Sequence, residues 1–192
     1  MTPELALHQI THALTRRGRR FALVGGLAVS LRAEVRFTRD VDIAVPVRDD
    51  PDAERLVVDL RSDGFVRVAV VEDQRHGRIA ISRLRSRSGV VVDLLMASSG
   101  IEGEIAETAS PVALGAETVP VAQAGDLLAM KILSMREARL QDRIDAQNLI
   151  AMATLDLDQV RDRLRLITLR GYDRDQDLLA KLGALIASID AR

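Results

Sequence analysis

The sequence predicts an α/β (α+β) chain: a mixed-sheet core followed by a C-terminal helical bundle. Three observations carry this. Short apolar runs broken by glycine, proline and charge fill the first two-thirds. The texture changes after Pro120, and four segments with helical spacing follow. The hydrophobic fraction is 47% while aromatics are only 2%, so Leu, Val, Ile and Ala must fill the core.

Taken in order, residues 2–17 place Leu5, Leu7, Ile10, Ala13 and Leu14 at helical spacing, and a basic run from Arg16 to Arg20 closes them. Phe21 to Val24 is a buried strand stopped by Gly25-Gly26, and residues 27–33 suit a short helix. Residues 41–45 form a second strand ended by Pro46. Residues 51–61 read as a helix with proline in its first turn. Three strands follow at 65–71, 78–84 and 90–96, the last two joined as a hairpin around 86–89. Residues 111–121 form short extended pieces. Helices are expected at 124–135, 142–153, 157–169 and 175–189, with a domain boundary between 1–121 and 122–192.

Composition removes several classes of function. The formal charge is −1, so global charge points to neither nucleic acid nor membrane. There is no cysteine, which excludes disulfides, thiolate zinc sites and a cysteine nucleophile, and fits a reducing compartment. Sparse aromatics argue against base-stacking platforms. No apolar run approaches the roughly 20 residues of a membrane helix, and the N-terminal residues lack a signal-peptide core. The expectation is a soluble cytoplasmic protein without a membrane partner. The three histidines, His8, His12 and His76, match no metal motif and receive no role.

The chemistry-bearing residues start with Asp40 and Asp42. One residue apart on a strand, they face the same way, and such a pair suits Mg²⁺, which takes oxygen ligands and leaves room for triphosphate oxygens. Asp-x-Asp recurs at Asp156–Asp158 and Asp173–Asp175, both read as solvated helix starts. The first pair differs because Asp42 is embedded in an apolar strand, where an uncompensated carboxylate is costly. Asp93 interrupts an equally apolar run and is a third metal-ligand candidate. Gly25 and Gly26, between strand and helix, let backbone approach phosphate. They form neither a Walker A loop nor a Rossmann fingerprint. Between these blocks Arg36, Thr38 and Arg39 offer cations and a hydroxyl. Lys131 sits in an apolar helix, and Asp142 and Asp145 share one face of the next. A cation from one helix and carboxylates from the other can meet over the sheet.

These blocks together resemble the nucleotidyltransferases of the polymerase-beta superfamily. The runs 22–29 and 36–43, then 126–131 and 142–145, most resemble the AbiEii-type toxin nucleotidyltransferases, including the mycobacterial MenT toxins. The likeness spans residues 20–150. It implies that Asp40, Asp42 and Asp93 bind two Mg²⁺ ions, that Gly25, Gly26, Thr38, Arg39, Lys131 and Asp142 bind the nucleotide, and that Asp40, Asp42, Lys131 and Asp145 carry catalysis. One departure is Gln141, where family members often have a basic residue. The resemblance further implies a toxin that transfers a nucleoside monophosphate from an NTP to the 3′ end of tRNA and is held by a cognate antitoxin. The rivals are a small-molecule nucleotidyltransferase of antibiotic-resistance type and a non-catalytic binding module. For RNA, one basic track is expected from Arg16, Arg17, Arg19, Arg20, Arg32, Arg36 and Arg39, and another from Arg75, Arg78, Arg83, Arg85 and Arg87.

Overall fold

A computed structural model describes residues 3–115 and 117–190; Thr2, where the first helix was expected to begin, and Ala116 lie outside them. The first helix is α1 (Pro3–Arg16), which buries the apolar stripe Leu7, Ile10 and Leu14 read from its spacing. It leads to β1 (Ala22–Val24), fully buried. The helix α2 (Gly25–Arg32) begins at Gly25, with no intervening turn. A loop then reaches β2 (Val41–Ala44). The helix α3 (Asp50–Leu60) carries proline in its first turn, as expected. Its N-cap Asp49 accepts the Asp52 N–H at 2.8 Å.

The strands β3 (Val66–Asp73), β4 (Arg78–Arg85) and β5 (Val91–Leu95) follow, and β4 and β5 pair antiparallel as the hairpin reading required. A short helix, α4 (Glu102–Thr108), was not expected. It follows a loop organised by buried Glu102, whose Oε1 accepts from the backbone and hydroxyl groups of Ser98 and Ser99 at 2.7–2.9 Å. The extended pieces are β6 (Ser110–Leu114) and β7 (Glu117–Val121). The helices α5 (Ala124–Ser134), α6 (Leu140–Met152), α7 (Leu157–Leu169) and α8 (Leu178–Asp190) close the chain. The last begins three residues later than its periodicity suggested.

One seven-stranded sheet orders β3-β4-β5-β2-β1-β7-β6. It is mixed: β2 runs parallel to β5 and β1 parallel to β7, and the remaining pairs are antiparallel. The apolar core continues from the sheet into the helices. Leu127, Leu128, Ile132 and Leu133 of α5 are buried in it, each worth about 1.5–3 kcal/mol relative to exposure. That burial fixes α5 against α2 and so sets its one lysine over the strand ends. Among the described residues no helix is long and apolar enough to cross a membrane.

Candidate active site

The parallel pairing of β2 with β5 aligns Asp42 with Asp93 in register. Neighbouring strands lie roughly 4.8 Å apart, so these carboxylates stand side by side. With Asp40 they line the sheet side of a cleft of about 1000 Å³. Lys131 and Asp142 line it from the helices. The burial argument that singled out Asp42 thus leads to a real concentration of negative charge. Burial first, then Asp93 and Asp40, push the Asp42 carboxyl up to about 6, against the pull of Lys131 and the Gly26 N–H.

The glycines act on these carboxylates directly. Gly25 has φ of 65°, a conformation that favours glycine, and a Cβ there would overlap Asp42 Oδ2. A Cβ on Gly26 would come within 2.5 Å of Arg36 Nη2 and 3.0 Å of Thr38 Oγ1. Both positions must therefore lack side chains for Asp42, Arg36 and Thr38 to approach the first turn of α2. Arg39 is exposed, its guanidinium 5.7 Å from the centre of the Phe37 ring.

On the helical side Lys131 Nζ lies 2.8 Å from both Asp142 Oδ1 and Asp145 Oδ2. The meeting of cation and carboxylates expected from sequence occurs, and only 9% of Lys131 is exposed. Asp145 is fully buried and also accepts from Arg36 Nη2 at 2.9 Å and Gln141 Nε2 at 2.8 Å. Burial alone would raise its carboxyl, but the hydrogen bonds from Lys131, Gln141 and Arg36 hold it below the ordinary value. Here Gln141, the departure from the family pattern, supplies a neutral donor. Asp145 thereby positions Lys131 and Arg36, while Asp142 faces the cleft.

A metal fits part of the expected donor set. Asp40 and Asp42 both line the cleft, a carboxylate pair of the kind with which Mg²⁺ keeps several waters and takes substrate phosphates. Asp93 is occupied: Arg83 Nε and Nη2 bind its oxygens at 2.8 and 2.7 Å. Among the described residues no group of three or more His, Asp or Glu side chains is arranged to hold a metal. Arg83 thus competes with a metal for Asp93.

The structure also relocates the free cations. Of the expected tracks, Arg16 and Arg17 pair with Asp63, Arg19 with Asp52, Arg36 with Asp145, Arg75 with Asp173 and Asp175, Arg78 with Asp50, and Arg83 with Asp93. Arg32 donates to the carbonyls of Val121 and Ala122. Beside Arg75 and Arg83 of the expected tracks, the cleft gathers Arg136, Arg139 and Arg174. Sequence reasoning missed all three. Asp156 does cap α7, as the solvated helix start required. Asp173–Asp175 corrects its own reading: it lies in the loop before α8, with Arg174 and Asp175 both at φ of 58°. A signal for Arg136 and Arg139 was present, two arginines in the short link after the helix of Lys131. None was present for Arg174.

Comparison with known proteins identifies the family and the fold. The model of the AbiEii family, described as nucleotidyl transferase AbiEii toxin of a type IV toxin–antitoxin system, matches residues 12–188. No curated protein matches by sequence. Among solved structures, the antibiotic-resistance enzyme ANT(2″)-Ia in complex with adenylyl-2″-tobramycin is 14% identical, with a TM-score of 0.54 over 86% of this chain and 97% of that one. The lincomycin-bound lincosamide adenylyltransferase LnuA is 15% identical, with a TM-score of 0.51 over 78% and 98%. MenT4, a nucleotidyltransferase toxin from Mycobacterium tuberculosis, is 20% identical, with a TM-score of 0.47 over 83% and 61%.

Proposed function

Because the chain belongs to the AbiEii nucleotidyltransferase toxin family, we propose that it uses Mg²⁺ to transfer a nucleoside monophosphate from an NTP to the 3′ end of tRNA, so blocking translation, and that a cognate antitoxin restrains it. The observation that carries the catalytic part is the single cleft that Asp40 and Asp42 share with Lys131. The reaction joins the acceptor oxygen to the α-phosphorus and breaks the bond to the β-phosphate, and pyrophosphate leaves. Bound Mg²⁺ supplies Lewis-acid chemistry, easing loss of the acceptor proton and neutralising the leaving oxygens. Asp40 and Asp42 hold that charge, with Asp93 joining them once Arg83 is displaced. Lys131, oriented by Asp145, grips phosphate oxygens, and the first turn of α2 lets backbone N–H groups approach the triphosphate. Asp142 shares Lys131 in the resting cleft and yields it to the nucleotide.

The test is incubation with each labelled NTP and total tRNA. Labelled tRNA is the expected product, and Asp42→Ala is expected to abolish it while circular dichroism stays native. Label on a small molecule, as in the antibiotic transferases, or transfer retained in Asp42→Ala, would sink this reading.

A further inference from the structure

We infer that Arg174, with Arg136 and Arg139, forms an anion subsite on the helical wall of the cleft that takes phosphate oxygens of a bound substrate. The inference deepens the transferase reading and rests on it for the substrate's identity.

Three observations converge. First, these guanidinia line the same cleft as Asp40 and Asp42, yet among the described residues neither Arg136 nor Arg174 forms an ion pair. Arg139 lies 3.5 Å from Asp142, a carboxylate already shared with Lys131. Like charge is gathered with incomplete compensation: Arg139 has Asp142 beside it, while Asp73 and Glu102 act on Arg174 only through space, so an added anion is favoured there. The guanidinium of Arg174 is held below its ordinary value, first by burial and then by Arg136 and Arg139.

Second, the backbone is bent to place Arg174. Consecutive non-glycine residues at φ of 58° are strained and persist only where surroundings over-determine them. Here they do. Arg75 pairs with Asp173 and Asp175 on either side. Tyr172 stacks on His76 at 4.0 Å between ring centres. Arg174 Nη2 donates to the Ser98 carbonyl at 3.0 Å.

Third, the link that carries Arg136 is braced where it leaves the helix. Lys181 donates to the Ile132 and Met135 carbonyls at 2.6 and 2.7 Å, closing the C-terminal end of α5 just before Arg136. Guanidinium forks match phosphate geometry, and such charge-assisted bonds are the strong ones. The phosphate comes from the NTP tail or from the acceptor backbone.

The experiment titrates wild type, Arg174→Gln and the double variant Arg136→Gln/Arg139→Gln by calorimetry, without metal, with two probes: inorganic tripolyphosphate and a short single-stranded RNA ending in a 3′ hydroxyl. Arg174→Gln is expected to weaken at least one probe about 10-fold with an unchanged melting temperature. Loss confined to tripolyphosphate assigns the subsite to the NTP, and loss confined to RNA assigns it to the acceptor. If Arg174→Gln is destabilised, the double variant in the exposed link decides in the same way. Binding within 2-fold of wild type for every variant and probe overturns the subsite, as does a wild type that binds neither. Absence of labelled product from every NTP would sink the transferase reading and leave a lost tripolyphosphate affinity standing.

Discussion

At Gly25 the backbone conformation and the space above it make the same demand. A β-carbon would need a φ that side chains rarely adopt and would overlap Asp42 Oδ2. Gly25→Ala is expected to lose about 1–3 kcal/mol of stability and all transfer activity, read by thermal melting and the labelled-NTP assay. Asp42 itself is held against its ordinary titration. Its folded value of about 6 lies above the unfolded 3.8, so the folded state binds more protons in that window. Stability from this group is full below about pH 4 and falls as pH rises through 6. Asp42→Asn is therefore expected to stabilise the metal-free protein at pH 7, by on the order of 1 kcal/mol after allowing for solvent screening. The gain should vanish at pH 4; equal gains at both pH values would contradict the account. Mg²⁺ affinity of the wild type should weaken as pH falls through 6. Asp93 gives the complementary case. Arg83→Gln frees its carboxylate, so calorimetry should show tighter Mg²⁺ binding than wild type; unchanged or weaker binding would mean that Arg83 does not compete with the metal.

Between elements, Arg19 and Asp52 tie the entry to β1 to α3. Arg19 Nη1 and Nη2 donate to the two Asp52 oxygens at 3.0 and 2.6 Å, and Asp52 is buried. Hydrogen bonding to Arg19 holds this carboxyl well below the usual range despite burial. The sign follows: the pair's contribution is full above the unfolded carboxylate value of about 4 and is lost as pH falls from there. Asp52→Asn should cost about 2 kcal/mol at pH 7 and flatten the acid limb of the stability curve, measured by urea melts. What sequence conveyed at this scale depended on whether the cause was local. The strands of Asp42 and Asp93 were legible because a carboxylate in an apolar run demands compensation wherever the strand goes. Their register was not, since a parallel pair depends on chain arriving from fifty residues away. The Arg83–Asp93 pair was hidden although its hairpin was read, because it depends on the exact β4–β5 register. The helix α4 escaped because Glu102 is buried on Ser98 and Ser99 rather than announced by apolar periodicity. The positive φ of Arg174 escaped because no glycine marks it.

For the molecule as a whole, a charge near zero conceals local sorting: Asp40, Asp42 and Asp93 gather on the sheet side of the cleft, and Arg136, Arg139 and Arg174 on the helical side, where Arg139 has Asp142 beside it. Most arginines counted in the sequence are consumed internally, so the number available to phosphate is smaller than composition implies. Counterion release converts that difference into a measurement. For single-stranded nucleic acid, log K falls with log salt at a slope of about −0.7 per phosphate neutralised. If Arg136, Arg139 and Arg174 make the contacts, the slope for a short RNA should be about −2. The seven arginines of the N-terminal track, were they all engaged, would give about −5. Fluorescence anisotropy of a labelled RNA from low to moderate salt distinguishes the two. A steep slope that persists in Arg136→Gln/Arg139→Gln would place the acceptor along the N-terminal track and require the Arg19–Asp52 and Arg36–Asp145 pairs to open. A shallow slope that flattens further in that variant would place the acceptor against the helical wall, facing Asp40 and Asp42 across the cleft.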